Sequence, residues 1–175
     1  MGHLLVGRDK RDSQEQRDKL ISDIAERQIK AERGEAMPLC IFPEGATSNG
    51  TSILQFQKGA FLTGKAVKPH YSKYWSVTSA SPCHGDAISM VAHILVMIHT
   101  FHTRYYVYEM PVFKPNDYFW QHYWDGKEEQ WKPFARAVRQ AMIEAGGFQE
   151  TELSVKDKVE YKYLVRGKKA PKKTV

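Results

Sequence analysis

Residues 41–50, IFPEGATSNG, have the types and spacing that could do chemistry. A single carboxylate, Glu44, follows an apolar run and precedes Gly45 in a stretch rich in turn-forming residues. One interpretation is structural, because a strand must end in a turn. The other is that the turn presents Glu44 and neighbouring backbone N–H groups to a ligand, as loops on rigid scaffolds often do. These ten residues alone do not separate the two interpretations.

The chain also contains two cysteines and seven histidines that could bind a metal. Cys40 and Cys83 form no C-x-x-C pair, so neither a disulfide framework nor a zinc site is indicated. Cys40 lies in an apolar run and is expected to be buried. The H-G-D and H-x-x-H groups at residues 84–86 and 99–102 have no further ligand at a recognised spacing. We therefore expect no metal site.

The composition predicts one globular domain with a substantial core, since 42% of the 175 residues are hydrophobic and 26% are charged. The net charge of +6 favours an anionic partner such as a phospholipid surface. No motif of a nucleic-acid-binding fold is present, so nucleic acid is not an expected partner. The longest apolar stretch, residues 87–101, is too short to span a bilayer. It predicts either a buried helix or a helix lying in the membrane interface.

The first 42 residues alternate between strand-like and helix-like patterns. Residues 3–7 and 38–42 are short apolar runs of strand length, and Ser13 begins a capping box and an amphipathic helix between them. A crossover helix of this length places the two strands parallel in one sheet. The segments KAVKPHY and RYYVYEMPVF, around Ala66 and Tyr105, are predicted as further strands.

The second part of the chain is predicted to be mainly helical. Residues 116–126 predict a loop dense in aromatic side chains, and a helix follows from Glu128 to the glycine pair at residues 146–147. Ser154 marks the start of a last short helix. Residues 166–175 form a polybasic tail that cannot bury apolar surface.

In this order the segments resemble the glycerolipid acyltransferase superfamily, in particular its lysophosphatidylcholine acyltransferase-like branch. That family transfers an acyl group from acyl-CoA to a glycerolipid hydroxyl. Three of its four sequence blocks have similar counterparts at similar spacing: LLVGRD for the strand that ends in arginine, FPEGATSNG for F-P-E-G-T, and QKGAFLTGKAVKP for the apolar run that ends in proline.

The resemblance implies a pocket for the phosphate and glycerol of the acceptor. Its residues here are Arg8, Glu44 and Gly45, with Pro43, Thr47 and Asn49 supporting the loop. An arginine offers a bidentate fork to phosphate, and a glycine lets backbone N–H groups approach it closely. We expect Glu44 to lie beside Arg8 and either to orient it or to accept a hydrogen bond from a glycerol hydroxyl. A purely structural ion pair between these two residues is the alternative.

Two departures from the family pattern affect the expected chemistry. Ala46 stands where the threonine of F-P-E-G-T is usual, which removes a hydroxyl from the turn. The family's first block, H-x-x-x-x-D, supplies the general base and the aspartate that orients it, and none of the seven histidines is followed by an aspartate five places later. Losing a positioned general base costs roughly 10²–10⁴-fold in rate. No catalytic residue is therefore assigned.

The resemblance and the predicted elements together imply an α/β fold, with a mostly parallel sheet flanked by helices. Residues 1–165 are predicted to form the C-terminal portion of an acyltransferase-type domain that lacks its first block. Residues 166–175 are predicted to be a tail outside that domain.

Two functions from different classes follow. In the first, the chain is catalytically incomplete and serves as an accessory or scaffolding subunit of a membrane-associated complex, with other protein chains and a phospholipid surface as partners. In the second, it is part of an active lysophospholipid acyltransferase whose His–Asp half is on another chain or omitted. No cofactor is expected, and acyl-CoA would be the co-substrate of an active enzyme. The expected location is intracellular and membrane-associated, with the mitochondrion and the endoplasmic reticulum as candidate organelles.

Overall fold

A computed structural model describes residues 14–76, 88–100, 102–165 and 167 of the chain. The predicted strand at residues 3–7, the capping residue Ser13, Cys83, the H-G-D group and all of the polybasic tail except Gly167 lie outside these residues. The elements are α1 (Gln14–Glu32), a short 3-10 helix (Lys58–Ala60), β1 (His70–Ser76), α2 (Met90–His99), β2 (Thr103–Glu109), α3 (Asp117–Tyr123), α4 (Trp131–Gly146) and α5 (Val155–Val165).

The predicted mostly parallel sheet is wrong for the described residues, which contain one two-stranded antiparallel sheet. Strands β1 and β2 pair along their whole length, from His70 opposite Glu109 to Ser76 opposite Thr103. The strand predicted around Ala66 therefore begins later, and Val67 makes only an isolated antiparallel bridge to Phe113. Whether two strands pair parallel or antiparallel depends on which distant segments meet in the fold. Local apolar runs carry no information about that pairing.

Residues 38–42 are not a strand, although their composition predicts one. No segment of the described residues forms a ladder with them, and a strand without a partner leaves its backbone groups to other contacts. Phe42 is 84% exposed, and Cys40 is exposed rather than buried as predicted. Leu39 and Ile41 are partly buried, but no residue of this run reaches the core within the described part of the chain.

The helix predictions near Ser13, Glu128 and Ser154 are confirmed by α1, α4 and α5. Helix α4 ends as predicted, because Gly147 adopts a left-handed conformation with φ 61° that glycine tolerates best. The aromatic segment at residues 116–126 was predicted as a loop and instead contains α3. The Asn116 side chain caps α3 by accepting a hydrogen bond from the Phe119 N–H at 2.9 Å, and Phe119 is buried.

The core is formed by one face of α4 packed against the segment after the F-P-E-G turn and against α3. Its buried residues are Ile53, Phe56, Phe61, Phe119, Phe134, Ala135, Val138, Met142 and Ile143. Phe134 is fully buried and meets Phe61 edge to face at 5.2 Å between ring centroids. Helix α4 thus buries a single apolar stripe, as a surface helix of a globular domain does.

Helix α1 is attached to the rest of the domain by polar contacts at its C-terminal half. Glu32 pairs with Lys65 and Lys114, each at 2.8 Å. Gln28 donates to the Ala60 carbonyl at 3.1 Å and accepts from the Thr63 hydroxyl at 2.7 Å. These contacts fix α1 beside the 3-10 helix that follows the turn.

Among the described residues, the β1–β2 hairpin contacts the rest of the domain near one end. Near its root, the Tyr71 hydroxyl donates to the Ala145 carbonyl at 3.1 Å, Lys73 donates to the Gly146 carbonyl, and Phe148 meets Tyr71 edge to face. Every residue of β2 is exposed. Helix α2, which lies between the two strands in the chain, has no buried residue, so the buried-helix alternative is wrong. Among the described residues, no helix is both long and apolar enough to cross a membrane.

Candidate functional site

The F-P-E-G turn is fixed by its own backbone hydrogen bonds. The Gly45 N–H donates to the Phe42 carbonyl at 3.1 Å, and the Gln57 N–H donates to the Pro43 carbonyl at 2.7 Å. Gly45 has φ 71°, a region that side chains with a Cβ rarely adopt. A Cβ there would meet Gln57 Cγ at an ordinary 3.6 Å, so backbone conformation rather than crowding favours glycine.

Glu44 points back into the protein rather than away from it. Its Oε2 accepts a hydrogen bond from the Leu54 N–H at 3.0 Å, and the residue is half-buried. Burial raises the pKa of the Glu44 carboxyl above its ordinary value of 4.5, while the Leu54 N–H and the charges of Lys158 and Arg139 oppose that rise. Within the described part of the chain, Oε1 receives no hydrogen bond, so this oxygen can accept one from a ligand.

Arg139 of α4 fixes the backbone at residues 53–54, and the Leu54 N–H in turn donates to Glu44. Arg139 is only 8% exposed, and its guanidinium donates to the carbonyls of Ile53 and Leu54 and to that of Thr151. A buried guanidinium must satisfy its donors, and three backbone carbonyls do so here. The Leu54 carbonyl therefore accepts a hydrogen bond from Arg139, and the Leu54 N–H donates one to Glu44.

Sequence reasoning missed Arg139, although a signal was present. The residue lies among the buried positions of α4, next to Val138 and one turn from Ala135 and Met142. A charged residue within an apolar helical stripe is buried by its position and must be paired. Its partners are carbonyls of distant segments, which the sequence pattern does not identify.

Thr47 and Asn49, predicted to support the loop, both make contacts within it or to α5. Lys158 donates to the Thr47 carbonyl and lies 3.3 Å from its hydroxyl. The Asn49 side chain accepts from the Thr51 N–H at 3.1 Å and from the Thr51 hydroxyl at 2.8 Å. Their support of a ligand-binding loop remains a prediction, but these contacts give both residues a structural role.

Arg8 lies outside the described residues, so its expected position beside Glu44 remains a prediction. The positive charges recorded near Glu44 belong to Arg139 and Lys158. No cluster of three or more His, Cys, Asp or Glu side chains that could hold a metal occurs in the part of the chain that the structure describes.

A family model described as acyltransferase matches residues 1–71, which include the turn and the 3-10 helix. The chain is 32% identical over 149 residues to the lysophospholipid acyltransferase LPEAT1 of Arabidopsis thaliana, covering 82% of this chain and 34% of that protein. The chain belongs to the glycerolipid acyltransferase superfamily.

Other superfamily members show the same partial coverage. Glycerol-3-phosphate acyltransferase 3 of Xenopus laevis is 31% identical over 120 residues, covering 65% of this chain and 23% of that protein. Human lysophosphatidylcholine acyltransferase 1 is 26% identical over 149 residues, covering 84% of this chain and 26% of that protein. The chain thus spans about a third or less of the length of these relatives. No solved structure matches it.

The acyltransferase match divides the site into two parts. Glu44, Gly45 and the Leu54 peptide lie within residues 1–71. Arg139 and Lys158, which contact the turn and the segment after it, lie outside. The family motif therefore identifies the turn and its own hydrogen bonds, while α4 and α5 add further support through Arg139 and Lys158.

Proposed function

We propose that this chain forms the acceptor-binding part of a glycerolipid acyltransferase. The observation that carries the proposal is the half-buried Glu44, oriented by the Leu54 N–H beside a left-handed Gly45. A carboxylate with no role beyond forming the turn would be expected to lie in solvent, because burial raises the free energy of its charged form. Retaining an acid at this cost is typical of a site that binds or positions a ligand.

The proposed ligand is a phosphate-bearing glycerol derivative with a free hydroxyl. Glu44 repels phosphate, so it is assigned to the hydroxyl, which donates to Oε1. The phosphate is assigned to the positive side of the turn, where Lys158 lies beside Thr47, and to Arg8 by resemblance to the family. Lysophospholipids and glycerol phosphate both have this pairing of hydroxyl and phosphate.

The proposed reaction is acyl transfer from acyl-CoA. The acceptor hydroxyl oxygen attacks the thioester carbonyl, an ester C–O bond forms, the C–S bond breaks, and the hydroxyl proton ends on the coenzyme A thiol. The hydroxyl needs a general base, since its pKa lies far above 7. The 175 residues contain no H-x-x-x-x-D, so the role proposed for them is acceptor binding and not proton transfer.

We also propose a second candidate, an accessory subunit that retains the acceptor pocket without catalysis. Its partners would be other protein chains of a membrane-associated complex. Both candidates require the Glu44 pocket to bind the acceptor, and they differ only in whether thioester is consumed.

Calorimetric titration of the 175-residue chain with glycerol 3-phosphate and with a short-chain lysophosphatidate tests the shared requirement. Glu44→Ala should weaken binding about tenfold or more, because a hydrogen bond to a charged group is lost. Glu150→Ala, at an exposed glutamate, is the matched control and should bind normally. Failure of the unmodified chain to bind either acceptor, or equal binding by the two variants, would refute the pocket.

A thioester-consumption assay with acyl-CoA separates the two candidates. We expect no turnover above background from the 175 residues alone, because they contain no H-x-x-x-x-D to supply the general base. Turnover that disappears in Glu44→Ala would exclude the accessory role and assign catalysis to these residues.

A further inference from the structure

Arg139 of α4 and Glu44 of the turn bond opposite ends of one peptide group. The Ile53 carbonyl accepts hydrogen bonds from Arg139 Nη2 at 2.9 Å and from Arg139 Nε at 3.2 Å. The Leu54 N–H, which belongs to the same peptide group, donates to Glu44 Oε2 at 3.0 Å. The guanidinium and the carboxylate are thus linked through a single peptide group.

This link strengthens the hydrogen bond that Glu44 receives. A positive charge at a carbonyl oxygen polarises the peptide group and makes its N–H a better donor. Because Arg139 is buried, little water competes for its charge, and the polarisation is larger than it would be at a surface. Arg139 Nε also donates to the Leu54 carbonyl at 3.1 Å, so the guanidinium fixes two successive peptide groups.

Backbone pairing with a distant stretch of the chain also holds this peptide group in place. Two backbone hydrogen bonds of 2.9 Å join residues 51–55 to residues 149–153, one near each end of the pair. Arg139 joins the same two stretches, because it also donates to the Thr151 carbonyl. A peptide group held in this way keeps its N–H in one direction, and that N–H determines which carboxylate oxygen stays free for a ligand.

Two cations act on the Glu44 carboxyl, one from each C-terminal helix. Burial raises the pKa of Glu44, and the Leu54 N–H, the charge of Lys158 on α5 and the charge of Arg139 on α4 oppose that rise. Lys158 contacts Thr47 of the turn and is assigned above to the acceptor phosphate. Arg139 is buried against backbone carbonyls instead, so it supports Glu44 whether or not phosphate is bound.

We propose that Arg139 is a positioning residue of the acceptor site, which acts on the acceptor hydroxyl through the peptide group between Ile53 and Leu54 and through Glu44. This inference rests on the proposed acceptor-binding function of Glu44. The guanidinium holds the Leu54 N–H on Oε2, so Oε1 stays free to accept the hydroxyl hydrogen bond. Its positive charge also favours the ionised carboxylate, which accepts a hydrogen bond more strongly than the neutral acid does.

Proton NMR of the Leu54 amide tests the link without any ligand. The Leu54 amide resonance should move with pH as Glu44 ionises, and this movement should be absent in Glu44→Gln. Arg139→Gln keeps a donor but loses the charge, so it should shift the midpoint to higher pH. Arg139→Lys keeps the charge but loses the fork, so its midpoint should lie between those of the unmodified chain and Arg139→Gln. Arg136→Gln is the matched control, since Arg136 is exposed and pairs with Glu128, and its midpoint should stay unchanged.

Calorimetry with glycerol 3-phosphate tests the consequence for the acceptor. Arg139→Gln should weaken binding about fivefold, because the hydrogen bond to Glu44 is less well oriented. In the Glu44→Ala background the same substitution should have no further effect, since no carboxylate remains to be positioned.

Two outcomes would overturn the positioning role of Arg139. The first is a midpoint that stays unchanged in whichever of Arg139→Gln and Arg139→Lys folds, while the unmodified chain binds glycerol 3-phosphate normally. The second is an equal loss of affinity in both backgrounds, which a merely structural role would produce. If the midpoint moves as expected but the unmodified chain binds no acceptor, the proposed function is refuted and the link between Arg139 and Glu44 stands.

Discussion

Helices α4 and α2 are both rich in apolar residues, but the two helices place them differently. In α4 the apolar side chains share one face with Phe134 at its centre, and that face is buried in the core. In α2 they surround most of the helix, and none is buried. Helix α4 therefore stabilises the fold with a single buried face, whereas α2 leaves its apolar side chains exposed.

The surroundings of the two helices differ in the same way. Helix α4 receives contacts from segments throughout the chain, including Ile53, Phe61 and Phe119. The strands that flank α2 form a two-stranded hairpin, which has little stability of its own in water, and the root of that hairpin rests on the end of α4. Substitutions in the two regions should therefore affect different properties.

The largest contrast is expected from the same substitution in both helices. Ile143→Ala in α4 removes a buried side chain that is 7% exposed and should lower the free energy of unfolding by about 2–5 kcal/mol. Ile98→Ala in α2 should change it by no more than about 0.5 kcal/mol. Urea unfolding followed by circular dichroism measures both. Similar losses in the two variants would mean that α2 is part of the cooperative core.

The next largest effect concerns the two arginines of α4. Arg139→Met should lower the free energy of unfolding by about 2–3 kcal/mol, because three backbone carbonyls lose a charged donor. Arg136→Met should cost at most about 1 kcal/mol, since Arg136 is exposed and pairs with Glu128 at the surface.

A second readout connects Arg139 to the turn. The charge of Arg139 opposes the rise in the pKa of Glu44, so Arg139→Met should raise that pKa further, as measured by NMR titration. Arg136→Met should leave the Glu44 titration unchanged. If neither variant moves it, Arg139 supports the core and has no electrostatic influence on the turn.

A smaller contrast is expected at the helix ends. Gly147→Ala should cost about 1 kcal/mol of unfolding free energy, because Gly147 ends α4 in a left-handed conformation. Ser89 caps α2 by accepting from the Ala92 N–H at 3.2 Å, so Ser89→Ala should reduce local helicity. It should leave global unfolding almost unchanged, and hydrogen exchange within α2 measures the local loss. A global loss equal to that of Gly147→Ala would contradict the separation of the two regions.

The smallest expected effect is the pH dependence contributed by Glu44. Its folded-state pKa is raised above the ordinary value of 4.5, so ionisation costs more in the folded chain than in the unfolded one. The contribution of Glu44 to stability is therefore greatest below pH 4.5 and is lost as pH rises through the raised pKa.

The variant Glu44→Gln isolates that contribution, since the amide oxygen can still accept from the Leu54 N–H. The difference in unfolding free energy between the unmodified chain and Glu44→Gln should shift in favour of the variant as pH rises from acid to neutral. Glu150→Gln, at an exposed position, should show no such shift. A difference that is independent of pH would mean that Glu44 ionises freely in the folded chain.

The sequence predicted the features that depend on local signals. The existence of α1, α4 and α5 follows from apolar periodicity, and the end of α4 follows from its glycine pair, although α4 begins at Trp131 rather than at Glu128. Helix α3 was missed because the density of aromatic residues obscured the cap at Asn116. The strand around Tyr105 was predicted and is confirmed by β2, but its antiparallel pairing with β1 was missed, because that pairing joins residues about thirty positions apart, which no local pattern encodes.

The candidate site also has a part that the sequence predicted and a part that it did not. Glu44 and Gly45 could be identified from the F-P-E-G motif, and the positive φ of Gly45 agrees with the turn expected there. Their partners could not, because the Leu54 N–H and the charges of Arg139 and Lys158 reach the turn only through tertiary folding. The motif thus identified the residues of the turn, but it did not indicate which residues hold them in place.

The three carbonyls held by Arg139 also bear on where this protein can be divided. They belong to Ile53, Leu54 and Thr151, so one guanidinium joins two stretches of backbone almost a hundred positions apart. A fragment that ends with the acyltransferase match at residue 71 would contain the F-P-E-G motif without Arg139. Such a fragment would expose Phe56 and Phe61, which α4 covers. We therefore expect that the motif-bearing segment does not fold on its own and that the F-P-E-G turn keeps its geometry only together with α4.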